Sequence, residues 1–195
     1  MASLASLEER LAQAEAIIKR PAFMQNKGLG NEVGYYIFDY LPQQEMDMRQ
    51  WVEYFQSKHE DRPNGFRVLV FDIYDIMIDI LAEKGYLEKC YEMEQRRGLD
   101  RVIKAVGNTL RITSPDSLIV KYISDRTEPN SVLFLTGIGK CYPIIRAHTL
   151  LNNLNQVIDS VPVIMFYPGK YDGQELMLFG EIKDDNYYRA FKLVH

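Results

Sequence analysis

The sequence predicts an α/β fold: a single domain over residues 1–195, with a mainly parallel central sheet flanked by helices on both faces. Short apolar runs rich in β-branched residues alternate along the chain with amphipathic helical patterns, which is the order that builds a parallel sheet. Hydrophobic residues make up 47% of the chain and charged residues 26%, which is typical of a globular protein rather than a disordered one. No internal repeat, low-complexity tract or linker divides it.

Residues 1–20 predict an amphipathic helix with one narrow apolar seam. The seam recurs at intervals of three and four residues, at Leu4, Leu7, Leu11, Ala14 and Ile18. Ser3 can cap this helix, and Pro21 ends it. We expect the seam to pack on the body of the protein or on a partner, and it permits a homodimer without requiring one.

The middle of the chain predicts two strands and several helices. The strands are residues 35–38 and 66–71. The second of them, FRVLVF, is largely apolar, so we expect it to be buried on both faces at the centre of the sheet. Amphipathic patterns predict helices over 43–59, 73–84, 87–97, 99–110 and a shorter one that Ser114-Pro115-Asp116 opens and that runs to residue 125.

The last third predicts more of the same alternation. Strands are expected at 131–136 and 161–167, with a helix at 142–159 between them and Pro143 in its first turn. The segment PGKYDG, residues 168–173, predicts a turn, and closing strands follow at 175–179 and 188–194.

A glycine-containing turn joins the strand at 131–136 to the following helix, which is where many proteins hold a phosphate. The P-loop pattern G-x-x-x-x-G-K-[ST] matches at Gly139 and Lys140. It fails at Phe134, where its first glycine should stand, and at Cys141, where its Ser or Thr should stand. The layout is therefore P-loop- or Rossmann-like without an intact Walker A motif.

The dinucleotide pattern G-x-G-x-x-G fails as well, because after Gly137 and Gly139 its third glycine would stand at Tyr142. Backbone amides at the expected helix start could still hold an anion. A structural turn is the favoured interpretation, and a ligand or anion site built on Gly137, Gly139 and Lys140 is the alternative.

Two groups of polar residues predict a contact surface. Arg146, His148, Asn152 and Asn153 lie in the expected helix 142–159, where His148 and Asn152 share a face. In the segment 168–173, an exposed Tyr171 with Asp172 would suit a partner, although a plain turn is favoured there.

The carboxylates Asp72, Asp75 and Asp79 follow the strand at 66–71 on one side of a predicted helix. Asp72 and Asp75 are weak metal candidates, because the oxygen ligands that Mg²⁺ or Ca²⁺ needs are too few. The alternative is that Asp72 caps the helix and Asp75 interacts with its dipole. No cofactor is indicated, and no complete motif for a nucleophile or a metal hydrolase occurs, so a non-enzymatic role is favoured.

Charge and cysteine content narrow the class further. The net charge of −4 argues against a protein that grips nucleic acid by itself. One basic cluster consists of Arg96, Arg97, Arg101 and Lys104, so a module that contacts DNA remains an alternative. Acidic neighbours dilute this cluster, and we expect contact with DNA only indirectly, through a complex.

Two cysteines outside any CxxC pair favour a reducing cytoplasm. The sequence contains neither a signal peptide nor an apolar stretch long enough to span a membrane, so no membrane association is expected.

Several motifs in the last third occur together. They are Thr136-Gly137-Ile138-Gly139, Tyr142-Pro143, Arg146-Ala147-His148, the segment LLNNL at 150–154, and PGKYDG at 168–173. With these motifs, residues 133–154 and 161–180 resemble the BrxB family, the small component of BREX bacteriophage-exclusion systems. The strand and helix start FRVLVFDIYD also look similar.

The resemblance implies a role in phage defence. BREX systems methylate host DNA and block the replication of phage DNA, using a methyltransferase, an AAA+ ATPase and PglZ, which has an alkaline-phosphatase-like domain. A BrxB-like chain would then be a non-enzymatic adaptor or assembly subunit, with PglZ as the first-choice partner and the ATPase or methyltransferase as others. The rival interpretation is a degenerate nucleotide- or phosphate-binding protein, with a regulatory or weak enzymatic role in the same system.

Overall fold

A mainly parallel sheet forms the centre of the protein in the computed structural model, which describes residues 6–25, 34–61, 65–186 and 189–195. Its strands are β1 (Tyr35–Tyr40), β2 (Arg67–Asp72), β3 (Ser131–Thr136), β4 (Val163–Tyr171), β5 (Glu175–Leu178), β6 (Ile182–Asn186) and β7 (Phe191–Lys192). In the order β2-β3-β4-β1-β7 every pairing is parallel, while β5 and β6 extend the carboxyl end of β4 as antiparallel strands. The predicted α/β class is confirmed.

Helices cover both faces of the sheet, also as predicted. They are α1 (Leu7–Ile18), α2 (Pro21–Met24), α3 (Glu45–Lys58), α4 (Ile73–Glu83), α5 (Leu87–Arg97), α6 (Leu99–Leu110), α7 (Leu118–Arg126) and α8 (Ala147–Asn155). One face carries α1, α2 and α3, and the other carries α4, α7 and α8 together with the end of α6. The hairpin α5–α6 adjoins α4.

Each strand at the centre of the sheet contributes side chains to two cores. In β1, Ile37 faces the α4–α8 side and Phe38 faces the α1–α3 side, and both are fully buried. Met165 and Phe166 divide in the same way in β4. Burial on both faces explains why these strands read as unbroken apolar runs rather than as an alternation of apolar and polar residues.

Helix α1 begins at a different cap from the one predicted. The Ser6 side chain accepts a hydrogen bond from the Glu9 backbone at 3.2 Å, and the Glu9 carboxylate accepts one from the Ser6 backbone at 2.9 Å. This capping box starts the helix at Leu7. Ser3 and Leu4 lie outside the described residues. On the inner side of α1, the Arg10 guanidinium donates to Asp39 of β1 at 2.7 Å, which holds the helix against the sheet.

Strand β2 lies at the edge of the sheet, so the prediction that residues 66–71 form a central strand is wrong. It pairs with β3 from Arg67 to Asp72, and no described strand pairs with its other side. Helices α3 and α4 both pack against β2, which explains its apolar composition. Composition reports whether the two faces of a strand are covered, whereas its place in the sheet depends on strands from elsewhere in the chain.

Helix α8 is shorter than the helix predicted over 142–159, and Pro143 is not in its first turn. A short 3₁₀ helix spans Ile138–Cys141, the Tyr142–Pro143 peptide bond is cis, and α8 starts only at Ala147. The Ala147 backbone N–H donates to the Asp184 carboxylate at 3.2 Å. Because this capping group lies 37 residues further along the chain, no local pattern could have predicted where the helix begins.

Smaller differences concern the ends of other elements. Helix α7 begins at Leu118, after Ser117, rather than at Ser114-Pro115-Asp116. Strand β6 was not predicted, and the closing strand predicted at 188–194 is reduced to Phe191–Lys192 among the described residues, with Tyr188 outside them. Short strands that carry Lys, Asp and Asn lack the apolar pattern on which a sequence prediction depends.

Candidate functional site

A crevice opens at the carboxyl edge of the parallel sheet, where β1 and β3 end on either side of β4. The helix that follows β1 packs on one face of the sheet, and the helix that follows β3 packs on the other. In open α/β sheets, ligands usually bind at the point where the connecting helices of neighbouring strands leave toward opposite faces of the sheet. The crevice has a volume of about 260 Å³. Its lining includes Tyr40, Glu45, Arg49, Gly137, Lys140 and Phe179.

The glycines of the turn are required by close packing. Gly137 has φ of 73°, and a Cβ atom there would lie 2.2 Å from Oδ1 of Asp72. At Gly139 a Cβ atom would lie 2.8 Å from Cγ of Pro168 and 3.0 Å from Cε1 of Phe179. The left-handed backbone at Gly137 disfavours a side chain, and the close approaches at both glycines mean that a Cβ atom would displace its neighbours. The favoured interpretation of this segment as a structural turn thus has a physical basis.

Lys140 faces carboxylates. Its Nζ lies 2.8 Å from Oδ2 of Asp72 and 3.5 Å from Oδ1 of Asp75, and it also lies 5.1 Å from the centre of the Tyr74 ring. A phosphate that approached Lys140 would therefore compete with two negative charges. The turn leads into a 3₁₀ helix of four residues rather than into an α-helix, so the predicted helix start with free amides is absent from Ile138–Cys141.

Asp72 has the capping role that was the alternative to metal binding. Its Oδ1 accepts hydrogen bonds from the backbone of Tyr74 at 3.0 Å and Asp75 at 3.2 Å, so it caps α4. The other oxygen, Oδ2, is engaged by Lys140. Within the described ranges, no group of three or more His, Cys, Asp or Glu residues is placed to hold a metal ion.

The opposite wall of the crevice is a second set of paired charges that sequence reasoning missed. The Glu45 carboxylate accepts hydrogen bonds from Nε of Arg49 at 2.8 Å and from the Tyr40 hydroxyl. Burial, and then the hydrogen bond to Glu45, hold the pKa of Tyr40 well above its usual value. The hydrogen bond to Glu45 raises the pKa of Arg49. The spacing of Glu45 and Arg49 at i and i+4 was the available signal.

Arg146 and His148 meet at a buried carboxylate on β6. Nε of Arg146 lies 2.7 Å from Oδ1 of Asp184, and Nδ1 of His148 lies 2.9 Å from the same oxygen. Nε2 of His148 lies 2.9 Å from the Thr149 hydroxyl. Together with the Ala147 backbone, these contacts fasten the start of α8 to β6. Asp184 was not predicted, because nothing in the sequence near residue 184 shows that its strand packs on α8.

The two asparagines of α8 differ in burial. Asn153 is buried, and its amide nitrogen donates to the backbone oxygen of Ile112 at 2.9 Å. Its predicted place on a contact surface is therefore wrong, because the side chain satisfies a carbonyl inside the protein. Asn152 is half-buried, and its role in a contact stays a prediction.

The segment PGKYDG is mostly strand. Residues 168–171 continue β4, and Gly169 lies so close to β5 that a Cβ atom would come within 2.1 Å of the Met177 oxygen. Tyr171 is buried and donates its hydroxyl to the Ala190 oxygen at 2.8 Å, so its predicted exposure is wrong. Only Asp172 and Gly173 belong to the turn itself, where the Asp172 carboxylate accepts hydrogen bonds from the backbone N–H groups of Glu175 at 2.8 Å and Gln174 at 2.9 Å. These two backbone hydrogen bonds lower the pKa of Asp172.

Comparison with known proteins decides the family. The sequence model of the family described as BREX protein BrxB matches residues 69–193. A BREX protein BrxB of Bacillus cereus (strain H3081.97) is 52% identical over 188 residues, which cover 96% of this chain and 97% of that protein. The chain belongs to the BrxB family. A second BREX protein BrxB, of Escherichia coli O9:H4 (strain HS), is 34% identical over 96% of this chain and 92% of its own length. No solved structure matches.

Family membership confirms the resemblance seen in the sequence and makes the chain a BREX component, and so part of an antiviral defence system. The matched BrxB segment runs from within β2 to β7. It therefore contains the glycine turn and the Arg146–Asp184 cluster, but neither α1 nor the Glu45 wall of the crevice. None of the helices in the described ranges is long and apolar enough to cross a membrane.

Chemically, the crevice offers two cations, Arg49 and Lys140, each paired with a carboxylate. Cys141 is buried beside the turn, and burial raises the pKa of its thiol to about 12, so the reactive thiolate is suppressed. The Lys140–Asp72 pair joins the turn after β3 to the end of β2, and the Tyr40–Glu45 hydrogen bond joins the end of β1 to α3.

Proposed function

We propose that this BrxB-family chain is a non-enzymatic adaptor or assembly subunit of a BREX complex, with PglZ as its first partner. The observation that carries the proposal is the helical hairpin α5–α6. All residues of α5 are described, and none of them is buried. Tyr86, Tyr91 and Leu99 on this hairpin are 38%, 51% and 56% exposed. Aromatic and apolar side chains exposed together are typical of a protein interaction surface.

The tip of this hairpin is also basic. Arg96 and Arg97 end α5, and Arg101 lies in the first turns of α6 with Lys104 after it. On a chain with a net charge of −4, this concentration of positive charge supports a partner whose acidic patch surrounds an apolar centre. The ATPase and the methyltransferase of the BREX system are the other partners that such a surface could serve.

The pairing of the motif residues supports a scaffold role. The groups that catalysis would use bind one another instead: Lys140 contacts Asp72, and His148 contacts Asp184. Cys90 and Cys141 are both free thiols, which supports the expected cytoplasmic location.

Co-purification tests the adaptor proposal. The tagged chain is co-expressed with the other proteins of its BREX operon, and we expect PglZ to elute with it on size exclusion. The double variant Tyr91→Ala/Leu99→Ala should lose PglZ, because two exposed side chains of the hairpin are removed. Tyr54→Ala, which removes a tyrosine that is 49% exposed on α3, is the matched control and should keep PglZ. If the chain runs alone with every operon protein present, it is not an adaptor.

The location of the crevice favours a second candidate function, nucleotide or phosphate binding, because it lies where α/β proteins bind ligands. The test is equilibrium titration with ATP, GTP and dinucleotides. Saturable binding that disappears in a folded Lys140→Ala variant would show that the chain is a ligand-dependent subunit rather than a pure scaffold. For the basic tip, DNA binding with a steep dependence on salt would establish a DNA contact, and no binding at low salt would exclude it.

A further inference from the structure

A groove runs along the outer side of the edge strand β2. It has a volume of about 570 Å³, larger than the crevice at the carboxyl edge. One wall is the exposed side of α3 and the residues just after it, with Glu53, Gln56 and Glu60, and the other is formed by Arg126 at the end of α7 and by Glu128 after it. The floor is the strand itself, residues 67–71. Its lining shares no residue with the hairpin α5–α6 or with the lining of the crevice.

The backbone of β2 points polar groups into this groove. The Arg67 N–H donates to the oxygen of Asn130 at 3.0 Å, on the β3 side. In a parallel ladder, alternate residues use both their N–H and their C=O on one side. Arg67, Leu69 and Phe71 are therefore bonded to β3, and Val68 and Val70 direct their N–H and C=O outward. The outer edge of β2 is a row of donors and acceptors at the spacing of a strand.

This edge lacks the protection that edge strands usually have. Natural sheets blunt their edges with proline, lysine, bulges or very short strands. Strand β2 is six residues long, stays in register with β3 throughout, contains neither proline nor lysine, and carries charged side chains only at its two ends, Arg67 and Asp72. Leu69 and Val70 are only half-buried. An apolar edge of this length is a template for another strand.

We propose that an extended segment of a partner protein adds to β2 as a further strand, with a Lys or Arg facing α3. The basic residue follows from the wall of the groove, where Glu53 and Glu60 present carboxylates to whatever lies beside β2. A second copy of this chain fits less well, because antiparallel pairing of two β2 strands would set the two α3 helices side by side, acidic against acidic. This inference rests on the assembly role proposed above and adds a second surface, so one subunit can contact two proteins.

The probe is an array of overlapping 15-residue peptides that covers each operon protein co-purifying with the wild-type chain. We expect at least one peptide with alternating apolar residues and a Lys or Arg to bind. Binding should slow hydrogen exchange at the amides of Val68 and Val70, which face the groove. Exchange at the amides of Leu69 and Phe71, already bonded to β3, should change little.

Two sets of variants separate the backbone from the charge. Val70→Pro removes an outward N–H and leaves the β3 ladder intact, as edge strands tolerate, and it should weaken peptide binding about tenfold or more, since one main-chain hydrogen bond and its neighbours are lost. Val70→Thr keeps the N–H and a similar size, so its affinity for the peptide should stay within about twofold of the wild type.

The charge is tested by Glu53→Lys/Glu60→Lys, which changes only exposed residues and should also weaken peptide binding. The affinity of Glu53→Gln/Glu60→Gln should be intermediate. If Val70→Pro does not fold, the two glutamate variants carry the test.

Each remaining outcome overturns the inference. Co-purification of the wild-type chain that is unchanged in folded Val70→Pro and in the glutamate variants leaves the adaptor role standing without strand addition. A wild-type chain that co-purifies with nothing removes both proposals. A dimer seen by light scattering and abolished by Val70→Pro would assign the groove to a second copy instead.

Discussion

The Lys140 ammonium and the Asp72 carboxylate lie 2.8 Å apart although their positions are 68 residues apart in the chain. Parallel pairing of β2 with β3 places Asp72 opposite Thr136, so the end of one strand meets the turn that follows the other. Asp72 also caps α4, and Gly137 leaves room for its carboxyl group. The glycine turn, the edge strand and the start of α4 thus depend on one carboxylate.

The turn should not tolerate a side chain at Gly137. In Gly137→Ala the left-handed backbone costs about 1–2 kcal/mol, and the new Cβ would displace Asp72 from Lys140 and α4, so we expect a total loss of about 3 kcal/mol in the free energy of unfolding. Gly85→Ala is the matched control, because φ there is 65° and no atom lies within 4 Å of its Cβ position. Urea unfolding of both variants measures the difference, and equal losses would show that the contact with Asp72 is unimportant.

Asp184 should contribute to the stability of the α8–β6 contact. Asp184→Ala leaves Arg146, His148 and the Ala147 N–H without their shared acceptor, and we expect a loss of about 2–3 kcal/mol, less than for a fully buried pair because Arg146 is partly in water. Asp125→Ala breaks an exposed pair with Lys121 on α7 and should cost about 0.5 kcal/mol or less. Similar chemical-denaturation midpoints for the two variants would contradict the prediction that Asp184 stabilises the contact between α8 and β6.

The neighbouring asparagines of the segment LLNNL should differ in their effects. Asn153→Ala removes the donor to the Ile112 oxygen inside the protein and should cost about 1–3 kcal/mol. The half-buried Asn152→Ala should stay within about 0.5 kcal/mol of the wild type. Thermal melting followed by circular dichroism is sufficient to test this, and the prediction fails if Asn152→Ala is the more damaging change.

Stability should decline at alkaline pH. Burial raises the pKa of Cys141 from 9.0 to about 12, so above pH 9 the unfolded chain loses a proton that the folded chain keeps. The number of bound protons is then larger in the folded state, and the free energy of unfolding falls as pH rises from 9 toward 12. Cys141→Ala should make this decline shallower in urea titrations at pH 9 and 10. Cys90→Ala, at a half-buried thiol, should change the slope less.

A comparison of predicted and observed elements shows which features depend only on the local sequence. Residues 131–136 were predicted to be a strand with the bounds it has, because an apolar run between polar segments is a property of those residues alone. The helix at 142–159 was misplaced because its cap, Asp184, comes from another strand. Tyr171 looked exposed because PGKYDG contains the residues of a turn, yet antiparallel pairing with β5 keeps residues 168–171 in β4.

Some features of the candidate site could also be predicted from the sequence, whereas others could not. The failure of the P-loop pattern at Phe134 and Cys141 could be seen in the sequence, and both side chains prove to be buried. That Lys140 is paired with Asp72 could not be seen, because this pairing joins side chains from different elements. The i and i+4 spacing of Glu45 and Arg49 was visible, but their place on the opposite wall of the crevice depends on how α3 packs against the sheet.

The sequence by itself determined the fold class, the alternation of the main strands and helices, and the BrxB resemblance that the comparisons confirmed, because hydrophobic periodicity and motif spacing are properties of the sequence itself. The tertiary structure alone decided that β2 lies at an edge, that Asn153 and Tyr171 are buried, and that Asp184 joins Arg146 to His148. The physical reason is that burial and charge pairing are set by contacts between segments far apart in the chain, which depend on strand order and register.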